Sequence, residues 1–302
     1  MRPASDASGR KYHLKHAFYS HVQPLLFRAM SDRPTLTDRA ALARFRLRAK
    51  RRQDDPALFL HSAAALEIKE RLTEVNRRFT SPAVVTGFAD FWRQTFPDAT
   101  VVGDDATLTL VPGAHDLVIH AMALHWSDDP VGQLIQCARA LRPDGLFLAV
   151  LPGGRSLHEL RACLAEAEAR LTGGLSPRVL PMGEIRDLGG LLGRAGLALP
   201  VADALTLTAS YRDLTHLCTD LRAMGETNAL SARPRHFSRR NLFAEAARHY
   251  AATYPADDGR ISATYELIFL TGWTAHESQQ KPLRPGSAIT RLAAALGAKT
   301  PD

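Results

Sequence analysis

His115-Asp116-Leu117-Val118-Ile119-His120-Ala121-Met122-Ala123-Leu124-His125-Trp126 is the stretch on which the fold turns. Asp116 to His120 is a short apolar run of the kind that forms a strand buried on both faces. A turn follows, and then a helix from about Asp129 to Leu141. Asp128 and Asp129 are suited to cap that helix by accepting its first free N–H groups. Arg142-Pro143-Asp144-Gly145 reads as a turn, and Leu146 to Leu151 as a second buried-type strand.

The same alternation extends outward in both directions. Upstream, Ala83-Val84-Val85-Thr86 is an apolar run that ends at Gly87, followed by a helix-like stretch with Phe88, Phe91 and Trp92. Thr100-Val101-Val102 is another, ending at Gly103-Asp104-Asp105. Downstream, helices are expected over Ser156 to Leu171, Glu184 to Ala195 and Asp213 to Met224. Strands are expected over Ala204 to Tyr211 and Ile261 to Thr271. Strand and helix in alternation predict a largely parallel sheet with crossover helices. Two late strands flanking one helix complete the pattern.

Ahead of the sheet, Asp32 to Gln53 reads as a basic helix that Thr37 could cap, with Asp38 favoured at its positive end. Leu42, Phe45 and Leu47 give it a thin apolar face. Its arginines suit either a solvated surface or an acidic partner. A second helix runs from about Pro56 to Arg78. The expected division is therefore 1–34 as an upstream segment, 35–79 as a helical arm, 80–275 as the α/β domain, and 276–302 as a basic strap with a short final helix, Ala288 to Leu296.

Charge follows this division. The formal charge is +7, yet residues 1–53 hold thirteen Lys/Arg against three acids, which leaves the rest of the chain about −3. The basic balance thus belongs to the arm, and no nucleic-acid partner is expected from it. Residues 1–29 are basic and poor in acids, as an organelle leader would be, or else translation begins at Met30. No stretch approaches the roughly 18 apolar residues of a membrane span. Cys137, Cys163 and Cys218 have no metal or disulfide spacing, which fits a reducing cytoplasm.

The block from His115 to Trp126, together with Arg139-Ala140-Leu141-Arg142-Pro143-Asp144-Gly145, resembles the fourth strand and following elements of class I S-adenosylmethionine-dependent methyltransferases. The Leu-His-Trp and the N-terminal stretch from Arg39 to Phe79 narrow the likeness. They point to the branch holding the biotin-synthesis malonyl-carrier-protein methyltransferase and a mitochondrial complex I assembly factor. The resemblance implies a Rossmann-like seven-stranded sheet, its last strand entering antiparallel, with helices on both faces, S-adenosylmethionine as cofactor, and either methyl transfer or the assembly of respiratory complex I through its subunits. In the second case the modification would be of an arginine rather than a methylation. A third implication, methylation of a fatty acyl thioester, is weaker because those relatives keep a full glycine loop.

That loop is where the sequence departs. The family pattern D-x-G-x-G-x-G lets the backbone approach the cofactor closely, whereas Val85-Thr86-Gly87-Phe88-Ala89-Asp90-Phe91-Trp92 keeps only Gly87. Phe88, Phe91 and Trp92 are expected to take room that the methionine moiety would use. Asp104, seventeen residues after Gly87, has about the spacing of a ribose-binding acid. Asp105 is an equal candidate, and a plain polar turn is the alternative. Ala121 completes the cofactor candidates implied by the resemblance. His120 and His125 flank the loop after the fourth strand and are weak candidates for a general base, His125 next to Trp126 being as readily a packing pair. Arg235-His236 with Arg239-Arg240 reads as a basic cluster in a loop. Trp273, His276 and Glu277 are candidates for the site mouth.

Overall fold

The computed structural model describes residues 35–51 and 58–279. The leader reading of residues 1–29, the basic strap from Lys281 to Gly286 and the final helix from Ala288 to Leu296 lie outside the described residues.

The chain begins with helices α1 (Arg39–Lys50) and α2 (Phe59–Glu74). Then follow β1 (Pro82–Thr86), α3 (Ala89–Thr95), β2 (Thr100–Val102), β3 (His115–Ala121), a 3-10 turn (Leu124–Trp126), α4 (Pro130–Ala140) and β4 (Leu141–Pro152). The second half holds α5 (His158–Thr172), α6 (Ile185–Arg194), β5 (Ala198–Tyr211), α7 (Leu214–Ala223), α8 (Arg240–Thr253) and β6 (Ile261–Trp273). The strands form a six-stranded sheet in the order β2-β1-β3-β4-β6-β5. The first four are parallel, and β6 runs antiparallel between β4 and β5.

The α/β class agrees with the sequence, and the antiparallel insertion with what the resemblance implies. The seventh strand does not appear among the described residues. Its place in the chain, between β2 and β3, is taken by an irregular segment whose backbone is satisfied by side chains of α4. Gln136 accepts from the Leu108 N–H and donates to the Ala106 carbonyl, while Gln133 donates to the carbonyls of Asp104 and Asp105. With its polar groups met in this way, the segment needs no ladder partner. A second departure lies between β5 and β6, where two helices stand instead of one. α8 begins at Arg240, inside the basic stretch read as a loop.

Strand periodicity sorts the core into two layers. Val84, Leu117, Ile119, Leu148 and Phe269 face α2, α5, α7 and α8. Val85, Val118, Phe147, Ala149 and Ile268 face α4 and α6. The N-terminal helices share in this packing. Ala49 of α1 and Leu60, Ala64 and Ile68 of α2 belong to the first layer, and Leu42 packs with Trp126, Leu180 and Leu230 in a small third cluster.

Candidate active site

β1 sits between β2 and β3, so the chain leaves it in one direction and returns on the other side. Such a reversal opens a crevice at the carboxyl ends of the strands. Gly87 lies directly after β1, Asp104 just beyond the end of β2, and Ala121 at the end of β3. A cleft of about 420 Å³ opens there, lined by Thr86, Gly87, Ala89, Gly103, Asp104 and Asp105 from the sheet side. Its other wall is α1, which contributes Arg39, Leu42, Ala43, Arg46, Leu47 and Lys50.

α1 is fixed over the cleft at its start. Asp38 caps it, accepting from the Ala41 N–H, and also pairs with Arg233 and Arg235 at 2.9 and 3.0 Å. Arg235 of the expected basic cluster therefore meets a carboxylate of this same chain. Thr37 is not the cap: its hydroxyl donates to the Trp126 carbonyl and its N–H to Asp128. Asp129, as expected, caps α4.

The arginines of α1 find their acidic partner at the cleft. Arg46 Nη1 donates to Asp104 Oδ1 at 2.7 Å, and Arg39 Nη1 donates to Oδ2 at 3.2 Å. Arg39 Nη2 also donates to the Asp104 carbonyl. Burial alone pushes the Asp104 carboxyl up, but the two guanidinium groups outweigh it and hold the acid below its ordinary range. Asp105 is exposed at its edge, 3.9 Å from Arg39.

The space beside Gly87 is filled, though not by the residues expected to fill it. A Cβ on Gly87 would stand 2.3 Å from the Arg46 guanidinium carbon. Phe88 and Trp92 are buried instead in the core against His61, whose Nδ1 accepts from Trp92 Nε1. The bulky side chains thus turn away from the cleft, and an arginine from the preceding helix takes the place.

Behind the cleft lies a buried polar group. Glu226 Oε2 accepts from Trp126 Nε1 at 2.9 Å and lies 3.3 Å from His125 Nε2. Burial raises the Glu226 carboxyl, yet His125, Arg46 and Trp126 together bring it below its ordinary value. His120 is wholly buried, hydrogen bonded through Nε2 to Gln133 Oε1 at 2.8 Å, and burial pulls its pKa down to about 4. Burial does the same to His61, also to about 4. Ala121 is fully buried beside Thr86, and the next residue, Met122, holds a left-handed φ of 51°, a local strain next to the cleft. On the far side of Trp126 and Glu226 an apolar pocket of about 220 Å³ is lined by Leu60, Leu160, Leu164, Leu180, Leu221 and Tyr265, among others.

Trp273, His276 and Glu277 are not at the mouth. β6 is antiparallel, so Trp273 at its end pairs with Leu146 in the first half of β4, away from the carboxyl ends of the parallel strands where the cleft opens. Reading the sequence missed Arg46, His61 and Glu226. For Arg46 a signal existed, because it falls on one helical stripe with Leu42 and Ala49, where an arginine is out of place. His61 lies beside Leu60, Ala64 and Ile68 in the same way. Glu226 follows α7 in a loop and carries no local pattern.

A family model described as a methyltransferase domain matches residues 60–149. The zebrafish protein named arginine-hydroxylase NDUFAF5, mitochondrial, is 33% identical over 228 residues, which cover 75% of this chain and 71% of that one. Its human counterpart is 38% identical over 192 residues, and there the chain spans 55% of the relative's length. The malonyl-[acyl-carrier protein] O-methyltransferase of Xylella fastidiosa is 33% identical over 177 residues, covering 59% of this chain and 58% of that one. Among solved structures, Haemonchus contortus phosphoethanolamine N-methyltransferase 2, with S-adenosylhomocysteine, aligns with a TM-score of 0.38 at 13% identity, over 71% of this chain and 53% of that one. No described helix is long and apolar enough to cross a membrane.

Proposed function

This chain belongs to the family of the arginine hydroxylase NDUFAF5, and we propose that it binds S-adenosylmethionine in the cleft between α1 and the strand ends and acts on a protein substrate. The observation that carries this reading is the pairing of Gly87 and Asp104 across one cleft. A carboxylate at the end of β2 is the acceptor that a ribose diol requires, and a wall without a Cβ lets a ligand approach the backbone. The residues fit the ribose end of the cofactor well. At the methionine end one glycine stands where three are usual, and Arg46 occupies the approach.

In this reading Asp104 accepts from the ribose hydroxyls, with Asp105 at the rim and Gly87 and Ala121 as the close wall. The bound cofactor supplies a methyl group on a sulfonium that is already activated. The protein's share is therefore alignment of the reacting partner. Trp126 and Glu226 line the apolar pocket, Trp126 packs in one cluster with Leu42 of the cleft wall, and the two would set that alignment. Of the two histidines, His125 is the better candidate for moving a proton, since it adjoins Glu226. His120 is enclosed in the sheet. Calorimetry with S-adenosylmethionine on the full chain should detect binding, and silence at millimolar ligand would sink the reading.

A second reading is favoured by the reduced glycine loop, which retains only Gly87. Here the chain serves complex I assembly by recognising a subunit, or by modifying an arginine of it, without methyl transfer. Capture from membranes of a respiring bacterium should then recover complex I subunits, and normal complex I in a deletion strain would refute it. The location we assign is the bacterial cytoplasm, a compartment that keeps three unpaired thiols reduced.

A further inference from the structure

Phe237 stands wholly in solvent, 102% exposed, and packs against nothing. A lone exposed apolar side chain needs no explanation, but a group of them does. Phe237 has company: Leu175 is 71% exposed and Phe243 38%. Hydrogen bonds hold the first two in place. Glu168 accepts from the N–H and hydroxyl of Ser176, the residue after Leu175. Arg178, paired with Glu168, donates through Nη1 to the hydroxyl of Ser238, the residue after Phe237. One ion pair thus ties the loop after α5 to the loop ahead of α8, and the two helices pack together. On the other side of Phe237, Arg233 and Arg235 are held by Asp38. The aromatic tip is therefore fixed outward from both sides.

Cations flank this tip. From Arg233 to Arg240 the chain holds four arginines, one histidine and no acid. Arg235, His236, Arg239 and Arg240 are exposed. Arg239 and Arg240 form no ion pair among the described residues, and Glu245, the next acid along α8, is taken by Arg170 and Arg248. Large apolar side chains that protrude singly suit a yielding medium better than a rigid protein face, which would need a cavity for each. The interfacial layer of a bilayer is such a medium. It admits apolar side chains at the level of the headgroups, and anionic lipid attracts the arginines around them.

We propose that the loop ahead of α8 is a membrane-docking site: Phe237, with Leu175 beside it, enters the interface of an anionic bilayer, and Arg235, Arg239 and Arg240 bind the lipid phosphates. Docking is independent of the cofactor reading. Arg178 and Phe243 also line the apolar pocket, so a docked chain holds that pocket close to the bilayer surface, within reach of the exposed loops of a membrane-bound protein.

Vesicle sedimentation of the full-length chain tests this. Vesicles of phosphatidylcholine and phosphatidylglycerol in equal parts should bind the chain and release it at high salt, and phosphatidylcholine alone should bind it far more weakly. Phe237→Ser should lower the affinity for the anionic vesicles about tenfold, as the withdrawal of one aromatic ring from an apolar phase implies. Its thermal midpoint should not move, since the ring supports nothing in the fold. Joint substitution of Arg239→Gln and Arg240→Gln should lower the affinity about tenfold as well and weaken its salt dependence. In Phe237→Trp the added emission should shift to the blue with anionic vesicles and be quenched by brominated lipid. Vesicle binding that Phe237→Ser leaves unchanged would belong to another basic surface, such as α1, and would overturn the proposal. A chain that ignores anionic vesicles, or an added tryptophan whose emission stays that of water, would overturn it too. If Phe237→Ser spares vesicle binding and abolishes capture of an acidic protein, the loop docks protein and the lipid assignment falls.

Discussion

Arg178 and Arg46 both lie against a buried carboxylate, and they spend their donors differently. Arg178 reaches both oxygens of Glu168, through Nε at 3.1 Å and Nη2 at 2.7 Å, and its Nη1 donates to Ser238. Glu168 accepts in addition from the N–H and hydroxyl of Ser176. Every nitrogen of that guanidinium has a partner. Arg46 makes one bond and leaves two nitrogens buried and unmet. The first pair ties α5 to the loop that leads towards α6, and it is complete. The second is incomplete, and it faces the polar cleft at the strand ends. Burial of an ion pair does not by itself distinguish structure from function.

The largest effect should come from breaking the complete pair. Arg178→Met leaves Glu168 buried without its cation, and stability should fall by about 3 kcal/mol in urea denaturation. The pH dependence sharpens the point. The Arg178 hydrogen bonds bring Glu168 from its ordinary 4.5 to about 2. A carboxylate with a depressed folded value binds its proton more readily in the unfolded chain. Its contribution is therefore whole above pH 4.5 and fades as the pH falls towards 2. Arg178→Met should flatten that part of the acid limb. A loss below about 1 kcal/mol, or an unchanged acid limb, would show that the pair is no stronger than an exposed one.

What could be read in advance follows the same division. The β3 block was legible because a strand buried on both faces is a continuous apolar run; Arg142-Pro143-Asp144-Gly145, expected as a separate turn, lies instead within β4, where the register against β3 shifts and Asp144 takes a left-handed φ of 60°. The position of Asp104 beside Gly87 at the strand ends was legible from their spacing. α8 was not, because its first residue continues a run of arginines, and its apolar stripe of Leu242, Ala246 and Tyr250 is sparse. The missing seventh strand was not either, since Gln133 and Gln136 satisfy that segment from a helix remote in sequence. Arg46 was hidden by its neighbours: one buried arginine among seven basic residues from Arg39 to Arg52 looks like the rest unless its stripe is traced.

A middle-sized effect is expected at Gly87. In Gly87→Ala the new methyl meets the far end of a flexible side chain, so Arg46 can swing aside, and the loss of stability should be about 1 kcal/mol. The displacement also removes Arg46 from Asp104. Binding of S-adenosylhomocysteine should weaken more than the modest change in thermal midpoint suggests. If the substitution costs stability on the scale of Arg178→Met, Arg46 is clamped as firmly as Arg178 and the contrast between the two pairs collapses.

The smallest effect should belong to Arg46 itself. Arg46→Met gives up one charge-assisted hydrogen bond, which is worth roughly 1.5 to 3 kcal/mol. It also removes two buried nitrogens that have no partner, each of which costs on the order of 1 to 3 kcal/mol. A thioether of similar length fills the space beside Leu42 and Ala49. Asp104 remains paired to Arg39, so no bare charge is left behind, and this is the difference from Glu168 after Arg178 is removed. The terms nearly cancel, and the net change in urea denaturation should stay within about 1 kcal/mol. Ligand binding should respond in the opposite proportion, with S-adenosylhomocysteine affinity falling while the fold is unmoved. Such a residue is retained for what it holds, not for the stability it lends. A loss near 3 kcal/mol would instead place Arg46 beside Arg178 as a structural tie, with α1 a fixed wall of the cleft.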